Sequence, residues 1–428
     1  MEIQITGNTG LFRWRRCLHG LAVLSALLIA TTACGTSSNP SGTNSANGTL
    51  TGSAYKIGVP CALSGPDANQ DLPIVHGMET YAYYANHHGG INGHPVQILT
   101  DDSQADVATE SADYKKELSE GALAIASCNS SAVAANVSYF NSNKVPVVST
   151  STVSSWYAPG ANYSYIFSVS PSNEELAPLM VAYIKKALGA NQGGGKVARL
   201  VDSIASAVAL AQSWSQVGSG LSFSSTQSIP STQTDYSSTA TSVLGQHPIA
   251  MMTALTPVQQ APFDLALQNQ GGWTQPWIGI FSAGDTDLKD APSTYAALRY
   301  WETPTESAPS AKALYALALK AGYASSTDLE SFWFSAGWVE AGAIITAMES
   351  CKGTCTSQGV DTGLENLNSN FLGITAQSRT TPTNHIILNS ARVYAWDSST
   401  SSAQPLSNFI NLDPAPTSYT GKIAGQAS

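Results

Sequence analysis

The amino-acid sequence predicts an α/β protein made of two doubly wound parallel-sheet lobes joined by a multi-strand hinge. Short apolar runs bounded by turn residues alternate with segments of helical period, and this alternation is typical of βα units in parallel sheets. Residues 55–60 form the first apolar run. The apolar side chains that follow it recur at helical spacing: Ile74, Met78, Tyr81, Ala82 and Ala85. A chain of 428 residues exceeds one typical domain, which favours two lobes.

The first βα unit also places the predicted site. Ser64, Gly65 and Pro66 end the first strand, and Gly89 and Gly90 supply the left-handed backbone with which helices commonly end. In such sheets the ligand crevice lies at the carboxyl ends of the strands. We therefore expect residues 61–70 to lie beside the site.

The same alternation continues along the chain. Strands are predicted at residues 122–127, 145–149, 197–201, 249–253 and 276–279. Helices are predicted at residues 107–118, 132–141, 174–188, 206–217, 259–269, 310–321 and 332–349. Because the extended segment 170–172 separates two such cycles, the second cycle predicts the second lobe.

The N-terminus is predicted to be a targeting segment. Residues 1–33 combine a basic start with an apolar stretch, residues 18–30, that is too short to span a bilayer comfortably. Residues 31–35 resemble a lipobox, in which Cys34 would be acylated, although Thr31 stands where leucine is usual. A plain secretory signal is the alternative. Residues 34–53 are almost all Ser, Thr, Asn and Gly, which predicts a flexible tether.

These segments predict an extracytoplasmic protein that is lipid-anchored to the cell membrane through Cys34, or secreted or periplasmic without lipidation. Without residues 1–33, which hold three Arg and one Glu, the chain has 16 basic and 28 acidic residues and a net charge of −12. It has no basic patch, which argues against nucleic acid as a partner.

Four cysteines remain after the signal and Cys34 are set aside, and sequence alone permits three pairings. Cys61 follows the first strand and Cys128 the third, and these strands are neighbours in a doubly wound sheet. We therefore expect disulfides Cys61–Cys128 and Cys351–Cys355. A metal site is the alternative, but no histidine lies at ligand spacing from either pair.

The first unit resembles a known family, the type I periplasmic binding proteins of the branched-chain amino acid (Leu/Ile/Val) kind, which are capture subunits of ABC importers. The matching residues are the strand KIGV, the turn 63–66, Gly77, residues 89–96 and the pair Asp101 and Asp102. The resemblance covers roughly residues 55–413. It implies that the chain returns to the first lobe near residue 302 and crosses again, so that strand 391–396 completes the second.

The resemblance suggests these boundaries: an N-terminal lobe of residues 54–172 plus about 302–377, a C-terminal lobe of 173–301 plus about 378–413, and a tail of 414–428. Loops after the strands are the expected ligand-binding elements. The candidates are Ser64, Gln70, Asn129, Ser130, Ser151 and Thr152 in the first lobe, and Ser206, Thr256 and Phe281 in the second. The alternative is that these residues have no role in binding and stand in the loops only because Ser and Thr are abundant throughout this chain.

The departures from the family concern the ligand. Phe281 stands where branched-chain amino acid binders hold the amine with Glu. Ser206 stands where a pocket tyrosine is common, and Leu255 or Thr256 stands where a second one is. Gln70 replaces a covering aromatic residue. Either the ligand lacks a cationic amine, or Asp67, Asp202 or Asp285 takes over that role. We favour the first reading: a small carboxylate, an amide or a related polar compound.

The sequence thus predicts a solute-binding lipoprotein of an ABC importer, monomeric, with membrane permease subunits as partners. A ligand-sensing receptor of the same fold with a signalling partner is the main alternative. No catalytic constellation appears, so we expect no enzyme, no cofactor and no metal. His76, His87, His88 and His94 are interpreted as structural, and residues 193–196 as a surface turn.

Overall fold

The computed structural model describes residues 50–65, 67–151, 155, 157 and 165–426. The predicted signal peptide, Cys34, most of the tether and Thr152 lie outside the described residues. Within the described part of the chain, no helix combines the length and apolar character that a membrane span requires.

The first lobe is built on a parallel sheet in the strand order β2-β1-β3-β4-β5. Its strands β1 and β3 are buried along almost their whole length, as expected of a parallel sheet covered on both faces. The elements are β1 (Tyr55–Cys61), α1 (Ala68–His87), β2 (Val96–Asp102), α2 (Val107–Ser119), β3 (Ala122–Ser127), α3 (Ser130–Asn143), β4 (Val147–Ser149) and β5 (Ile166–Ser168).

The second lobe repeats this pattern around parallel strands in the order β10-β9-β8-β6-β7. The strand β8 is buried at every position. The elements are α4 (Asn173–Leu188), β6 (Lys196–Asp202), α5 (Ala205–Val217), β7 (Ser222–Ile229), α6 (Ser237–Gly245), β8 (Ala250–Leu255), α7 (Pro257–Gln268), β9 (Trp277–Phe281), α8 (Asp285–Asp290) and β10 (Tyr295–Arg299).

The chain then returns to the first lobe. The elements are α9 (Pro309–Ala321), α10 (Ser326–Glu330), α11 (Phe332–Glu349), α12 (Ser357–Glu365) and the short hairpin β11 (Asn368–Ser369) and β12 (Ser378–Arg379). The helix α11 is buried along nearly its whole length and packs on α1 and α12.

A last crossing takes the chain back to the second sheet. The strand β13 (Ser390–Asp397) pairs antiparallel with β10, and β14 (Ser402–Pro405) and β15 (Ile410–Asn411) pair with β13. Residues of the predicted tail also pack here: Tyr419 is buried, and the backbone N–H of Ala424 donates to the Tyr183 hydroxyl at 3.1 Å. The predicted lobe boundaries remain predictions, while the two-lobed α/β fold is confirmed.

Candidate functional site

A cavity of about 680 Å³ lies at the carboxyl ends of both parallel sheets. Loops from each lobe form its walls, as the strand–loop–helix pattern predicts. In the first lobe these loops follow β1, β3 and β4, and in the second they follow β6, β7, β8 and β9. A further wall comes from the returning segment around α10 and the start of α11; it includes Thr327, Asp328, Ser331 and Trp333.

Helix starts shape the first-lobe wall. Asn129 caps α3, and its side-chain oxygen accepts from the backbone N–H groups of Ser131 and Ala132 at 2.9 and 3.3 Å. Ser130 and Ser131 form the first turn of α3 and line the cavity. Although Asn129 occupies these two N–H groups, the partial positive charge of the helix N-terminus makes this wall favourable for oxygen acceptors.

The second-lobe wall contains the ends of β6, β8 and β9. Asp202, the last residue of β6, accepts from the Ile204 backbone N–H at 3.0 Å and from the Ser231 hydroxyl at 3.0 Å. Phe281, the last residue of β9, lines the cavity with a backbone φ of 76°. Such a φ is uncommon for a bulky residue, and strained backbone of this kind clusters at binding sites.

Among the described residues, the charged ones that line the cavity are all aspartates: Asp67, Asp202, Asp287 and Asp328. Asp67 is exposed to solvent but partly desolvated by its surroundings, and this desolvation, together with the nearby charge of Asp202 in the other lobe, raises the pKa of Asp67. Burial also raises the pKa of Asp287 to about 6. Asp328 is engaged by His76, with its carboxylate 2.9 Å from the imidazole Nδ1. The cavity is therefore an acidic environment.

Most of the predicted site residues are brought together. The cavity is lined by Gln70, Asn129, Ser130, Ser151, Ser206, Thr256 and Phe281. Two of the three aspartates considered as amine acceptors, Asp67 and Asp202, line it as well, whereas Asp285 forms an ion pair with Arg299 at 2.7 Å.

Ser64 is placed differently from the prediction. It is exposed and is absent from the cavity lining, because its hydroxyl donates to the Asp102 carboxylate at 2.6 Å and its backbone N–H donates to the same group at 3.1 Å. Asp102 ends β2, the strand beside β1, so it caps the turn that contains Ser64.

Sequence reasoning missed the wall made by Thr327, Ser331 and Trp333, and the residues Ser231 and Thr232 after β7. The strand β7 was itself not predicted, so no loop was expected to follow it. The start of α10 is rich in Ser, Thr and Asp and contains no Pro, which is a capping pattern that predicts the start of a helix. Such a pattern does not predict which other parts of the chain lie beside that helix.

Both disulfides predicted from the sequence are present, Cys61–Cys128 and Cys351–Cys355. Cys128 lines the cavity, so the first bridge ties the end of β1 to the loop that carries Asn129. Among the described residues, the carboxylate of Asp71 and these two sulfur atoms form one close group of metal-ligand types. Because the sulfurs are bonded to each other, they are not thiolate ligands.

The protein has two α/β lobes, each built on a parallel sheet, and a cavity of ligand size at the carboxyl ends of both sheets. This arrangement defines the class of two-lobed α/β binding proteins. A family profile described as periplasmic binding protein matches residues 54–402. The chain therefore belongs to the periplasmic binding protein family. No match was found among curated protein sequences.

Solved structures share the fold at low sequence identity. A branched-chain amino acid ABC transporter structure from Thermus thermophilus with bound valine is 16% identical, covers 84% of this chain and 96% of its own, and has a TM-score of 0.73. A fatty acid ABC transporter substrate-binding protein from Thermomonospora curvata is 17% identical, with coverages of 90% and 99% and a TM-score of 0.71. A solute-binding protein from R. palustris in complex with 4-hydroxybenzoate is 17% identical, with coverages of 84% and 97% and a TM-score of 0.68.

Proposed function

We propose that this protein captures a small solute between its two lobes outside the cytoplasm and presents it to an ABC permease. The observation that carries the proposal is the cavity, which is lined by loops from the carboxyl ends of both sheets. Its volume of about 680 Å³ lies within the usual range of small-molecule sites, roughly 300–1,000 Å³.

Closure of the lobes is the proposed mechanism. The chain crosses between the two sheets after β5, after β10 and before β13, so the lobes are joined by several segments that can act as a hinge. A solute that contacts both walls binds the closed form more tightly than the open form. Occupancy therefore shifts the lobe equilibrium toward closure, and the permease recognises the closed shape.

Membership of the periplasmic binding protein family supports an extracytoplasmic location, and ABC-transporter proteins among the structural neighbours support a permease partner. Lipidation of Cys34 stays a prediction, which processing in the presence of globomycin tests. Copurification of membrane permease and ATPase subunits with the tethered protein supports import. Copurification of a sensor kinase instead would favour the signalling alternative.

The charge of the cavity changes which solute we propose. In the part of the chain that the structure describes, the charged lining residues are all aspartates, so a ligand whose only charge is a carboxylate would be repelled. Asp67 and Asp202 lie on opposite lobes, and the negative charge of Asp202 contributes to raising the pKa of Asp67. A cationic group placed between them would relieve that repulsion as the lobes close. We therefore favour a ligand with a positive charge, which was the second of the two readings of the sequence.

A charge-matched panel tests this proposal. The valine, fatty acid and hydroxybenzoate skeletons named for the structural neighbours are each offered as amine, amide and carboxylate. The nine probes are isobutylamine, isobutyramide and isobutyrate; octylamine, octanamide and octanoate; and 4-hydroxybenzylamine, 4-hydroxybenzamide and 4-hydroxybenzoate. We expect at least one amine to raise the unfolding temperature while its carboxylate does not.

The variant D67N should weaken binding of that amine about tenfold, the loss typical of one hydrogen bond to a charged group. The control D290N alters an exposed aspartate outside the cavity lining and should bind like the wild type. A carboxylate that binds more tightly than its amine would overturn the charge assignment. Native mass spectrometry of the purified protein tests capture itself, and a probe recovered chemically altered would point to an enzyme.

A further inference from the structure

We propose that three apolar side chains of the second lobe, Ile204, Val258 and Phe281, form a patch that receives the hydrocarbon part of the captured solute. We call these three side chains the apolar patch. This inference rests on the proposed function and narrows the solute class to an organic cation whose charged group is attached to a hydrocarbon chain or ring. Phe281 is the residue of the patch that selects for the hydrocarbon.

The apolar patch lines the cavity and is accessible from it. Ile204 is 39% exposed, Val258 is 51% exposed and Phe281 is partly exposed. Single exposed apolar residues are common on protein surfaces, and Leu265 of α7 is one of them, outside the cavity lining. Three that share one cavity instead indicate a surface that an apolar group covers when the site is occupied.

The sheet of the second lobe brings the apolar patch to one edge. The strands β6, β8 and β9 are neighbours, and a row of paired residues crosses all three: Val201, Ala254 and Ile280. Each residue of the patch follows this row within four residues along its own strand and loop. Because neighbouring strands lie about 4.8 Å apart, the three loops start within roughly 10 Å of one another. One small solute can therefore contact all three side chains.

The backbone of Phe281 supports a role for its ring. Residue 281 ends β9 and pairs with Leu255 of β8, and its φ of 76° lies in the left-handed region. Glycine adopts this conformation without strain, whereas a bulky side chain does not. Strain of this kind persists where the placement of the side chain is used, and binding sites are the commonest such places.

The apolar patch lies beside the carboxylates that we propose for the cation. The Ile204 backbone N–H donates to the Asp202 carboxylate at 3.0 Å, so one turn holds both residues. Asp67 lines the same cavity from the first lobe. Binding pockets commonly combine apolar surface with a few charged or polar groups that fix the orientation of the ligand. A solute that contacts both features carries its charge and its hydrocarbon group a few bonds apart.

The test compares two amines of equal length and equal charge by calorimetry. Butylamine has an unbroken alkyl chain, and 2-methoxyethylamine has an ether oxygen in place of one methylene group. We expect butylamine to bind about tenfold more tightly, because an ether oxygen loses its hydration against an apolar surface. Affinity should also rise about fourfold per methylene group from propylamine to pentylamine. Equal affinities for butylamine and 2-methoxyethylamine overturn the proposal.

Substitutions at position 281 test which residue makes the selection. F281A and F281G both remove the ring, and F281G also relieves the backbone. Both should lower the tenfold preference for butylamine to about threefold or less. The control L372G relieves a φ of 61° at an exposed residue outside the cavity lining, and it should keep the wild-type preference. An unchanged preference in F281A and F281G overturns the role of Phe281. An equal loss of both amines places the ammonium group on the ring and overturns it as well.

These outcomes separate the apolar patch from the proposed function. If amines bind without preference for hydrocarbon, solute capture stands and the role of the patch falls. If no amine binds, native mass spectrometry identifies the solute that the purified protein carries. A solute without a hydrocarbon group overturns the apolar patch alone, and an organic cation with one supports it. If no probe and no solute binds at all, the proposed function fails together with this inference.

Discussion

Gly337 of α11 lies so close to Ile74 of α1 that a Cβ atom on residue 337 would stand 1.8 Å from the Ile74 carbonyl oxygen. Gly77 makes the reciprocal contact, where a Cβ would stand 2.0 Å from the Phe334 carbonyl oxygen. Both helices start at the cavity, with Gln70 in the first turn of α1 and Trp333 in that of α11. This backbone contact therefore sets the spacing of two cavity walls.

Replacing Gly337 by alanine should destabilise the protein. The added methyl group has no room, so the helices must move apart at a cost of about 1–3 kcal/mol in the free energy of unfolding. Chemical denaturation of G337A measures this loss. The control G245A alters a glycine at the end of α6 that has nothing within 4 Å of the added atom, and it should unfold like the wild type. Wild-type stability of G337A would contradict the close packing.

The length and burial of α11 explain why it was predicted from end to end as residues 332–349. A long run of apolar residues without breakers is a strong signal. By contrast, β7 was missed because it lies at the sheet edge, and most of its Ser- and Thr-rich residues are outside the buried core. The strand β10 was missed because it is only five residues long and ends in a buried arginine.

The site could be predicted where it depends on the strand–loop–helix order. Gln70, Asn129 and Ser206 line the cavity because they follow β1, β3 and β6. Ser64 could not be excluded in advance, since its partner Asp102 belongs to another strand. Trp333 could not be predicted as a lining residue of the cavity from the sequence. The helical period of α11 indicates which residues face the core, but it does not indicate that the first turn of the helix lies at the cavity.

The buried Arg299 predicts a second stability effect. Its guanidinium, fully buried, donates to Asp285 at 2.7 Å, to Glu306 at 3.2 Å and to the Ala283 carbonyl at 2.6 Å. It therefore joins the end of β10 to α8 and to the crossing into the first lobe. Replacement by methionine leaves two carboxylates without their cation and should cost about 3–5 kcal/mol.

Denaturation of R299M measures that cost, with R379M on the exposed side of β12 as the control. R299K retains the charge but cannot reproduce the planar fork of donors, so its stability should fall between the wild type and R299M. If R299M were as stable as R379M, the interactions of Arg299 with Asp285, Glu306 and the Ala283 carbonyl would contribute nothing to the free energy of unfolding.

The two disulfides should differ in their effect on stability. Cys61 and Cys128 are separated by 67 residues in the chain, whereas Cys351 and Cys355 are separated by 4. Since a bridge across a longer loop restricts the unfolded chain more, C61A/C128A should lose about 2–4 kcal/mol and C351A/C355A clearly less. Alkylation of Cys61 and Cys128 without reductant, detected by mass spectrometry, would show that the first bridge is absent.

Glu340 predicts how stability depends on pH. Its carboxyl group is fully buried in α11, and neither oxygen has a hydrogen-bond partner among the described residues. Burial, assisted by the nearby charge of Asp71, raises the pKa of Glu340 well above its usual 4.5. Burial likewise raises the pKa of Asp71 to about 8. Both groups hold protons in the native state that they release in the unfolded chain.

The native state therefore binds more protons than the unfolded state at neutral pH, and the free energy of unfolding should fall as the pH rises from about 4.5 to 8. E340Q keeps the shape without an ionisable group, so it should be more stable than the wild type by roughly 1–3 kcal/mol at pH 8 and should differ less at pH 5. Denaturation curves at both pH values measure the difference, with E120Q at an exposed site as the control. Parallel pH profiles for the wild type and E340Q would show that Glu340 does not hold the proton, because a glutamate already ionised in the native state contributes no such slope.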